Sequence, residues 1–515
     1  MEKMKQVGDL KINSRICLYG AGDYGRDFFQ LIRRKRPDIQ VIRFIDTYKT
    51  GELYGIEIIK PDGIKAIESQ FDFILIASGA HRNDIIKSLN QIGIDNYYSV
   101  SFNTLDVRLS FNEGTINKNE VVPLHSQMNS QVSMADEVVN KTQKMKILLV
   151  SSPFGQKLGH YYTFPLGLAY ISSVLKSAGH YVRCLNLNHR EWPSESLAEA
   201  LQTFKPDVVG TGGLSPHYPM LRDILATSKA LRPTAITIIG GGAVSSEPEL
   251  VLESTLADIG VIGEGEITSV ELLNALATGR DLSEVDGLIY KDSNGNLRKT
   301  KPRTAIKNLD SIPYPDYDGF EIEVLLDSLK SSDSYHLNFS DNPRVLDIIS
   351  SRSCPYPCTF CFHPLGKTYR QRSLDNFFAE LDYVIKKYRI TQLSIMDELF
   401  AANHEKLKDF CYRIKSYNIE WVIQLHVSIV NETVLHLMRD AGCRSISYGI
   451  ESMNDLVLSS MKKNTSRSMT HKSLQMTYDA AICIQGNLIF GDPAETFETA
   501  CDSLTWWSNN RHFQV

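Results

Sequence analysis

An apolar strand, a glycine- or cysteine-bearing loop and an amphipathic helix follow one another at three places along this chain. The three strands span 15–19, 145–150 and 345–350. Strand and helix signals keep alternating after each start, which favours parallel sheets with ligand loops at the carboxyl ends of their strands. Because 515 residues exceed what one hydrophobic core usually holds, the three starts predict three α/β domains.

The composition is that of a soluble globular protein, with 43% apolar and 22% charged residues. A net charge of −5 gives no basis for a nucleic-acid or anionic-membrane partner. The amino terminus lacks the apolar segment of a secretory signal, and no apolar run approaches the roughly 20 residues of a membrane span. Nine cysteines, most of them isolated, form no disulfide pattern. We therefore expect a cytoplasmic protein without a membrane span.

The first predicted domain, residues 1–105, carries a dinucleotide-type fingerprint. Strand 15–19 runs into Gly20-Ala-Gly22-Asp-Tyr-Gly25 ahead of a helix, and Asp46 follows the next strand. Glycines at this spacing let the N–H groups of a helix start approach a pyrophosphate, while the acid accepts from a ribose hydroxyl. We predict a Rossmann-like fold with Gly20, Gly22, Gly25 and Asp46 at a nucleotide site. The alternative is that the glycines serve only the tight turn.

The tract 46–61 resembles the Rossmann-like modules appended to sugar acyltransferases and sugar methyltransferases. That resemblance implies a nucleotide-sugar or a regulatory nucleotide as readily as NAD. Residues 106–143 are polar and lack periodicity, which predicts a flexible linker.

The second predicted domain, residues 144–300, has five strand signals, at 145–150, 181–187, 206–211, 236–240 and 258–262. Helices between them predict a doubly wound, flavodoxin-like sheet. Glycine-rich loops follow the later strands, at 210–215, 240–242 and 263–266. These glycines serve either a ligand or only tight turns.

Together with 165–170 and 177–180, these loops resemble the cobalamin-binding domain of cobalamin-dependent radical SAM proteins. The resemblance implies that six loop residues cradle the corrinoid and its nucleotide tail: Gly213, Ser215, Gly241, Gly242, Gly263 and Gly265. The D-x-H-x-x-G motif is absent after the first strand, where Ser151-Ser-Pro-Phe-Gly-Gln stands, and His160 is in the wrong setting. Cobalamin is therefore expected without a histidine ligand from this loop.

Residues 301–344 form a predicted connector, and 345–515 the reactive domain. The stretch Cys354-Pro-Tyr-Pro-Cys358-Thr-Phe-Cys361 has the spacing C-x3-C-x2-C. Three thiolates can bind three irons of a cubane cluster and leave the fourth iron open to a reactant. The alternative is a zinc site using His363, but one residue between Cys361 and His363 is poor spacing for zinc and no second C-x-x-C pair exists.

Later strands of this domain, at about 391–396, 421–427, 444–450 and 482–490, carry polar residues at every second position. Val422, Ile446, Tyr448 and Ile450 are predicted on the opposite side, facing helices. Because a polar barrel interior needs water or a ligand to satisfy its groups, we predict a ligand-holding cavity. A register shift of one residue is the alternative. The polar positions are Gln424, His426, Ser428, Ser445, Ser447, Gly449, Glu451, Gln485 and Asn487.

The cysteine loop and these strands resemble the radical SAM domain, with Phe360 in the aromatic position before the last cysteine. The resemblance implies that Cys354, Cys358 and Cys361 ligate a 4Fe-4S cluster, whose open iron chelates S-adenosylmethionine (SAM). It further implies that Asp397 or Glu398 meets the amino group of SAM. Glu451 would also contact SAM, and the loop containing Gly491 would lie beside the adenine. Related proteins often carry Arg where His426 stands.

The predicted fold class is α/β: two doubly wound Rossmann-like domains, then a partial (βα)6 barrel that lacks its last strand. Because the sequence ends after the fifth barrel strand and one helix, we expect a truncated chain.

The predicted function is that of a cobalamin-dependent radical SAM enzyme, which cleaves SAM reductively to a 5′-deoxyadenosyl radical. The expected product is a methylated carbon in a small molecule or a cell-envelope or natural-product intermediate, with a flavodoxin or ferredoxin as electron donor. The alternatives are oxidative cyclisation or rearrangement without methyl transfer, and a non-catalytic regulatory protein that binds cobalamin or a nucleotide.

Overall fold

The computed structural model describes most of the chain, in two compact units, Met1–Val122 and Pro123–Val515. All three predicted nucleotide-site glycines, Gly20, Gly22 and Gly25, lie outside the described residues, as do the predicted linker 106–143 and His160. The described residues are 13–19, 29, 32, 33, 36, 38–47, 49–76, 82–94, 97–99, 144–153, 163–191, 193–329 and 343–513.

A six-stranded sheet forms the first unit. Its strands are β1 (Arg15–Tyr19), β2 (Gln40–Ile45), β3 (Gly51–Leu53), β4 (Ile56–Ile59), β5 (Phe73–Ile76) and β6 (Tyr97–Ser99). Their order is β3-β4-β2-β1-β5-β6, and every pair is parallel except the hairpin β3–β4. The 3-10 helix Pro61–Gln70 and helix α1 (Arg82–Gln91) connect strands.

Strand β1 is apolar on both faces because each face packs against its own cluster. Ile16 and Leu18 belong to one cluster, and Cys17 and Tyr19 to another. A parallel strand covered on both sides has a continuous apolar run and no alternation. β1 lies at the centre of the sheet with a parallel neighbour on each side. The Rossmann-like, doubly wound assignment of this unit stays a prediction.

The second unit begins with a seven-stranded sheet of order β13-β12-β11-β10-β9-β7-β8. The five predicted strands are confirmed to within two residues at each end, and an unpredicted antiparallel hairpin, β12–β13, extends the edge. The strands are β7 (Lys146–Ser151), β8 (Tyr181–Asn186), β9 (Val208–Gly212), β10 (Ile236–Gly240), β11 (Ile259–Val261), β12 (Leu288–Lys291) and β13 (Leu297–Lys299). The helices are α2 (Leu166–Ser177), α3 (Pro193–Phe204), α4 (Tyr218–Leu231), α5 (Gly242–Ser246), α6 (Pro248–Ser254) and α7 (Gly265–Thr278).

A second sheet of this unit has five parallel strands in the order β14-β17-β18-β19-β20. They are β14 (Val345–Ile348), β17 (Gln392–Ile395), β18 (Glu420–Leu425), β19 (Cys443–Glu451) and β20 (Cys483–Leu488). Two short antiparallel strands, β15 (Ser351–Arg352) and β16 (Arg370–Gln371), flank the cysteine loop. The helices are α8 (Ile322–Ser328), α9 (Leu374–Tyr388), α10 (His404–Ile414), α11 (Glu432–Asp440), α12 (Asp455–Ser460), α13 (Arg467–Asp479) and α14 (Phe497–Asn509).

One hydrophobic core runs through both sheets of the second unit, from Ile147 to Trp421 and beyond. The side chains of Ser373 and Asn431 accept backbone N–H bonds at the starts of α9 and α11 and are therefore the N-caps of these helices. The predicted boundaries at 144, 301 and 345 stay predictions. No helix among the described residues combines the length and apolarity needed to cross a bilayer.

Candidate functional site

The cysteine loop leaves the carboxyl end of β14 and is closed at its base by the hairpin β15–β16. Ser353, just before the first cysteine, has a φ of 68°, which turns the chain sharply out of β15. Further along, the Thr359 backbone N–H donates to the Met461 carbonyl at 3.0 Å. The loop is therefore held at its base and at its centre.

The three thiols of this loop differ in acidity. A hydrogen bond with Cys361, together with the cation of Lys463, lowers the pKa of Cys358 to about 6 despite its burial. The same hydrogen bond raises the pKa of Cys361, and burial raises that of Cys354. One thiolate is thus favoured near neutral pH, as metal ligation requires.

No three described His, Cys, Asp or Glu residues converge as a single metal ion needs. His363 lies 3.6 Å from Glu398 instead, measured from Nδ1 to Oε2, which disfavours the zinc alternative. A cubane cluster spreads three thiolates over three irons, so the loop's donor set fits a 4Fe-4S cluster better than a single ion.

A cavity of about 480 Å³ lies between the cysteine loop and the carboxyl ends of the five parallel strands. Its volume is that of a site for a drug-sized ligand. Polar side chains predicted to face the barrel interior line it, among them Gln424, Ser445 and Asn487. Tyr448 and Ile450 are buried on the other side, as predicted. Val422 was assigned to the wrong face: it lines the cavity because it shares the period-two face of Gln424.

The two neighbouring acids after β17 have different environments. Asp397 is buried and accepts hydrogen bonds from the Ser350 backbone N–H at 2.8 Å and from its hydroxyl. Burial raises the pKa of Asp397 to about 6. Glu398 is more exposed and contacts His363. Because Asp397 already fixes the strand end before the cysteine loop, Glu398 is the better placed of the two to meet a ligand's cation.

Glu451 forms a buried ion pair that the sequence did not reveal. Its Oε1 accepts from Nζ of Lys463 at 2.9 Å, and both side chains are over nine-tenths buried beside the cavity. Gly449 makes room for the pair, since a Cβ there would lie 2.1 Å from Glu451 Oε1 and 2.6 Å from Lys463 Nζ. Lys463 follows helix α12 and belongs to no motif, so only the three-dimensional arrangement identifies it.

His426 follows β18 and lines the cavity with 6% of its surface exposed. Its ring stacks on Tyr356 of the cysteine loop, with centroids 4.3 Å apart and planes at 19°. Burial and the nearby Lys463 lower the pKa of His426 to about 4, so the ring is neutral at physiological pH. Oγ of Ser428 lies 2.7 Å from Nδ1 of His426, but Ser428 itself does not line the cavity.

Phe360 and Gly491, which the family resemblance placed in the cofactor site, are not among the residues that line this cavity, and their contacts with a cofactor stay predictions. Phe360 is 37% exposed and faces Lys463, whose Nζ lies 5.8 Å from the ring centroid. Gly491, with φ of 99°, comes after the end of β20, and its N–H donates to the Glu495 carboxylate. Phe362, two residues further along, does line the cavity, as do Tyr356 and the three cysteines.

The glycine loops of the seven-stranded sheet lie against the cysteine loop. A Cβ on Gly242 would lie 3.5 Å from the Phe362 ring, and one on Gly263 would lie 3.9 Å from the Pro364 carbonyl. A Cβ on Gly241, whose φ is 88°, would lie 2.8 Å from the Gly213 carbonyl oxygen, so close backbone packing requires glycine there. A Cβ on Gly213 would instead lie 2.8 Å from Nδ1 of the His217 side chain. Ser215 is exposed at the start of a short 3-10 turn, and Gly265 begins α7. The exposed Leu214 adds apolar surface here, which suits a flat ring system.

Four buried charges join the loop after β11 to the cysteine-loop hairpin. Glu264 accepts from Arg352 at 2.8 Å and from Arg370 at 2.7 and 2.8 Å, and Glu266 accepts from the second Nη of Arg352. The Ile306 N–H also donates to Glu264, at 2.7 Å. These side chains are at most 9% exposed. The two loops are therefore held in a fixed relation.

In the first unit, Asp46 follows β2 as predicted, and its carboxylate accepts the Lys49 backbone N–H at 2.9 Å. Its role toward a nucleotide stays a prediction.

Comparison with known families adds three matches. The B12 binding domain matches residues 159–273, the radical SAM superfamily matches 348–506, and an N-terminal domain described as C2185-like matches 12–99. An uncharacterized methyltransferase of Pyrococcus horikoshii is 30% identical over 362 residues, 69% of this chain and 76% of the relative. The chain belongs to the cobalamin-binding radical SAM enzymes.

Two further proteins are informative about this cobalamin-binding radical SAM enzyme. An anaerobic magnesium-protoporphyrin IX monomethyl ester cyclase of Rubrivivax gelatinosus is 26% identical, over 65% of this chain and 60% of the cyclase. The solved structure of the radical SAM methyltransferase TsrM from Kitasatospora setae, with cobalamin and a 4Fe-4S cluster bound, superposes with a TM-score of 0.58. It is 20% identical, over 71% of this chain and 70% of TsrM, and so supports the fold.

Cofactors of this radical SAM enzyme are a 4Fe-4S cluster, SAM and cobalamin. The cysteine loop offers three thiols beside a polar cavity, and the glycine loops offer close backbone approach beside apolar side chains. Both donor sets fit the groups that the family uses.

Proposed function

We propose that this protein is a methyltransferase that transfers a methyl group to an unactivated carbon of a small molecule. The observation that carries the proposal is the contact between the glycine loops and the cysteine loop, at Gly242–Phe362 and Gly263–Pro364. When bound, the cluster with SAM supplies a carbon-centred radical and the corrinoid supplies the methyl group. Two reactive groups on adjoining loops can serve one substrate carbon in the cavity between them.

The chain's own residues have five roles in this proposal. Cys354, Cys358 and Cys361 hold the cluster, and Glu398 faces the amino group of SAM. Glu451, neutralised by Lys463, helps to shape the SAM site without adding net charge to the cavity. The uncharged polar wall, including Gln424 and Asn487, binds substrate or SAM through hydrogen bonds. The six loop residues from Gly213 to Gly265 contact the corrinoid.

A second candidate function is radical oxidative cyclisation without methyl transfer. The observation that favours it is the similarity to the magnesium-protoporphyrin ester cyclase. The cyclase is 26% identical over 65% of this chain, compared with 30% over 69% for the methyltransferase relative. An electron donor such as a flavodoxin or ferredoxin serves either chemistry. A nucleotide or nucleotide-sugar in the first unit is a separate proposal, which rests on Asp46 and the glycine fingerprint.

Product analysis separates the two chemistries. The reconstituted protein is given SAM, hydroxocobalamin and a chemical reductant, and the adenosyl products are quantified. Carbon methylation consumes two SAM and two electrons, giving one S-adenosylhomocysteine, one methionine and one 5′-deoxyadenosine. Formation of both S-adenosylhomocysteine and 5′-deoxyadenosine is expected. Formation of 5′-deoxyadenosine alone, with cobalamin present, would contradict methyl transfer and favour cyclisation.

A further inference from the structure

The His426 imidazole is held in one orientation by contacts on two sides. Tyr356 of the cysteine loop stacks on one face of the ring. Nδ1 lies 2.7 Å from Oγ of Ser428 and accepts the Ser428 backbone N–H at 3.3 Å, as the cap of a short 3-10 turn. Since the ring lines the cavity, this arrangement fixes its edge relative to any ligand there.

The hydrogen bonds at Nδ1 determine where the ring proton lies. A backbone N–H can only donate, so Nδ1 must present its lone pair. A neutral imidazole then carries its hydrogen on Nε2. Nε2 is shielded from solvent and has no hydrogen-bond partner among the described residues. A buried donor without an acceptor destabilises the protein unless a bound molecule supplies one.

We propose that His426 donates a hydrogen bond from Nε2 to an acceptor atom of SAM. SAM offers carboxylate oxygens, ribose hydroxyls and adenine nitrogens. Three observations favour SAM over other ligands of the same cavity: the ring stacks on Tyr356, which lies between two cysteines, the cavity touches all three cysteines, and Lys463 lies near the ring. The inference rests on the proposed function in one respect, that SAM occupies this cavity. A neutral donor stands here where related proteins often carry a cationic Arg.

Binding of SAM to the reconstituted protein, measured by anaerobic equilibrium dialysis, tests the proposal. His426→Phe keeps the aromatic stack and removes the donor, so its affinity for SAM is expected to fall about tenfold. His426→Gln keeps a donor and is expected to recover most of that loss. The control is His436→Phe, the same substitution on the exposed side of α11, which should bind SAM as the wild type does. Equal affinities for wild type and His426→Phe would overturn the proposal.

Iron content of each variant is measured first, so that cluster loss is not mistaken for weaker SAM binding. If His426→Phe takes up no iron, Ser428→Ala replaces it. That variant removes a contact that orients the ring, and its affinity for SAM is expected to fall about twofold or more. An affinity equal to that of the wild type would then overturn the proposal. If the wild type itself binds cluster but no SAM, the proposed function fails, which is a distinct result.

Discussion

Glu264 provides the sharpest test of how the second unit is held together. Its carboxylate accepts from Arg352, Arg370 and the Ile306 N–H, all within 2.8 Å. Glu264→Gln keeps the shape but removes the negative charge that pairs with both guanidinium groups, and Glu266 is ion-paired with Arg352, not with Arg370. Removing one member of a buried ion pair costs about 3–5 kcal/mol, because the remaining charge stays out of water. Since Gln retains one acceptor, we expect a loss at the lower end, about 3 kcal/mol.

Denaturant unfolding followed by tryptophan fluorescence measures this loss in the intact chain. All four tryptophans lie beyond residue 190, so the signal reports on the second unit. Glu249→Gln is the matched control, since its pair with Lys299 is about half exposed, and we expect it to change stability by less than about 0.5 kcal/mol. A loss for Glu264→Gln no larger than that of the control would refute the reasoning that this charge cluster joins the two loops.

Three further predictions concern other buried charged or titratable groups and the glycine beside one of them. Lys463→Met leaves Glu451 buried without its cation and is expected to destabilise the second unit by about 3 kcal/mol and to weaken SAM binding. Gly449→Ala should also weaken SAM binding, because the added methyl group displaces the Glu451–Lys463 pair. Gly167→Ala is the control, since a Cβ there meets nothing within 4 Å. Equal SAM binding by Lys463→Met, Gly449→Ala and Gly167→Ala would contradict the role of the pair. Burial raises the pKa of Asp347 from 3.8 to about 6, so the folded state retains a proton that the unfolded chain releases, and stability falls as pH rises from about 4 to 6. The free energy of unfolding, measured at several pH values, should fall less in Asp347→Asn than in the wild type, by up to about 3 kcal/mol. An unchanged pH profile would contradict the raised pKa of Asp347.

Local sequence periodicity predicted most of the strands. The apolar run of β1 was recognised because a strand that is buried on both faces is continuously apolar in sequence. The N-caps Ser373 and Asn431 are equally local, because a cap bond spans only three residues. The polar face of β18 and β19 was likewise recognised from sequence periodicity. Val422 was misplaced although it shares the period of Gln424, because its apolar side chain suggested the helix-facing side.

Interactions between distant residues could not be predicted. Glu264 meets Arg352 and Arg370 across 88 and 106 positions, and no local pattern encodes that meeting. Lys463 is one lysine among many in sequence, and only burial beside Glu451 distinguishes it. The cofactor contacts of Phe360 and Gly491 rest on the family's motifs and stay predictions, because motif spacing does not determine where a loop turns after its strand ends.

The central claim is that Cys354, Cys358 and Cys361 hold the cluster that activates SAM. Anaerobic reconstitution with iron and sulfide, followed by absorbance and by 5′-deoxyadenosine formation from SAM, tests it most directly. The wild type is expected to show iron–sulfur absorbance and to release 5′-deoxyadenosine. Cys358→Ala should lose both, while Cys411→Ala, at a buried core cysteine, should retain them. No iron–sulfur absorbance in the wild type, or absorbance unchanged in Cys358→Ala, would contradict the claim.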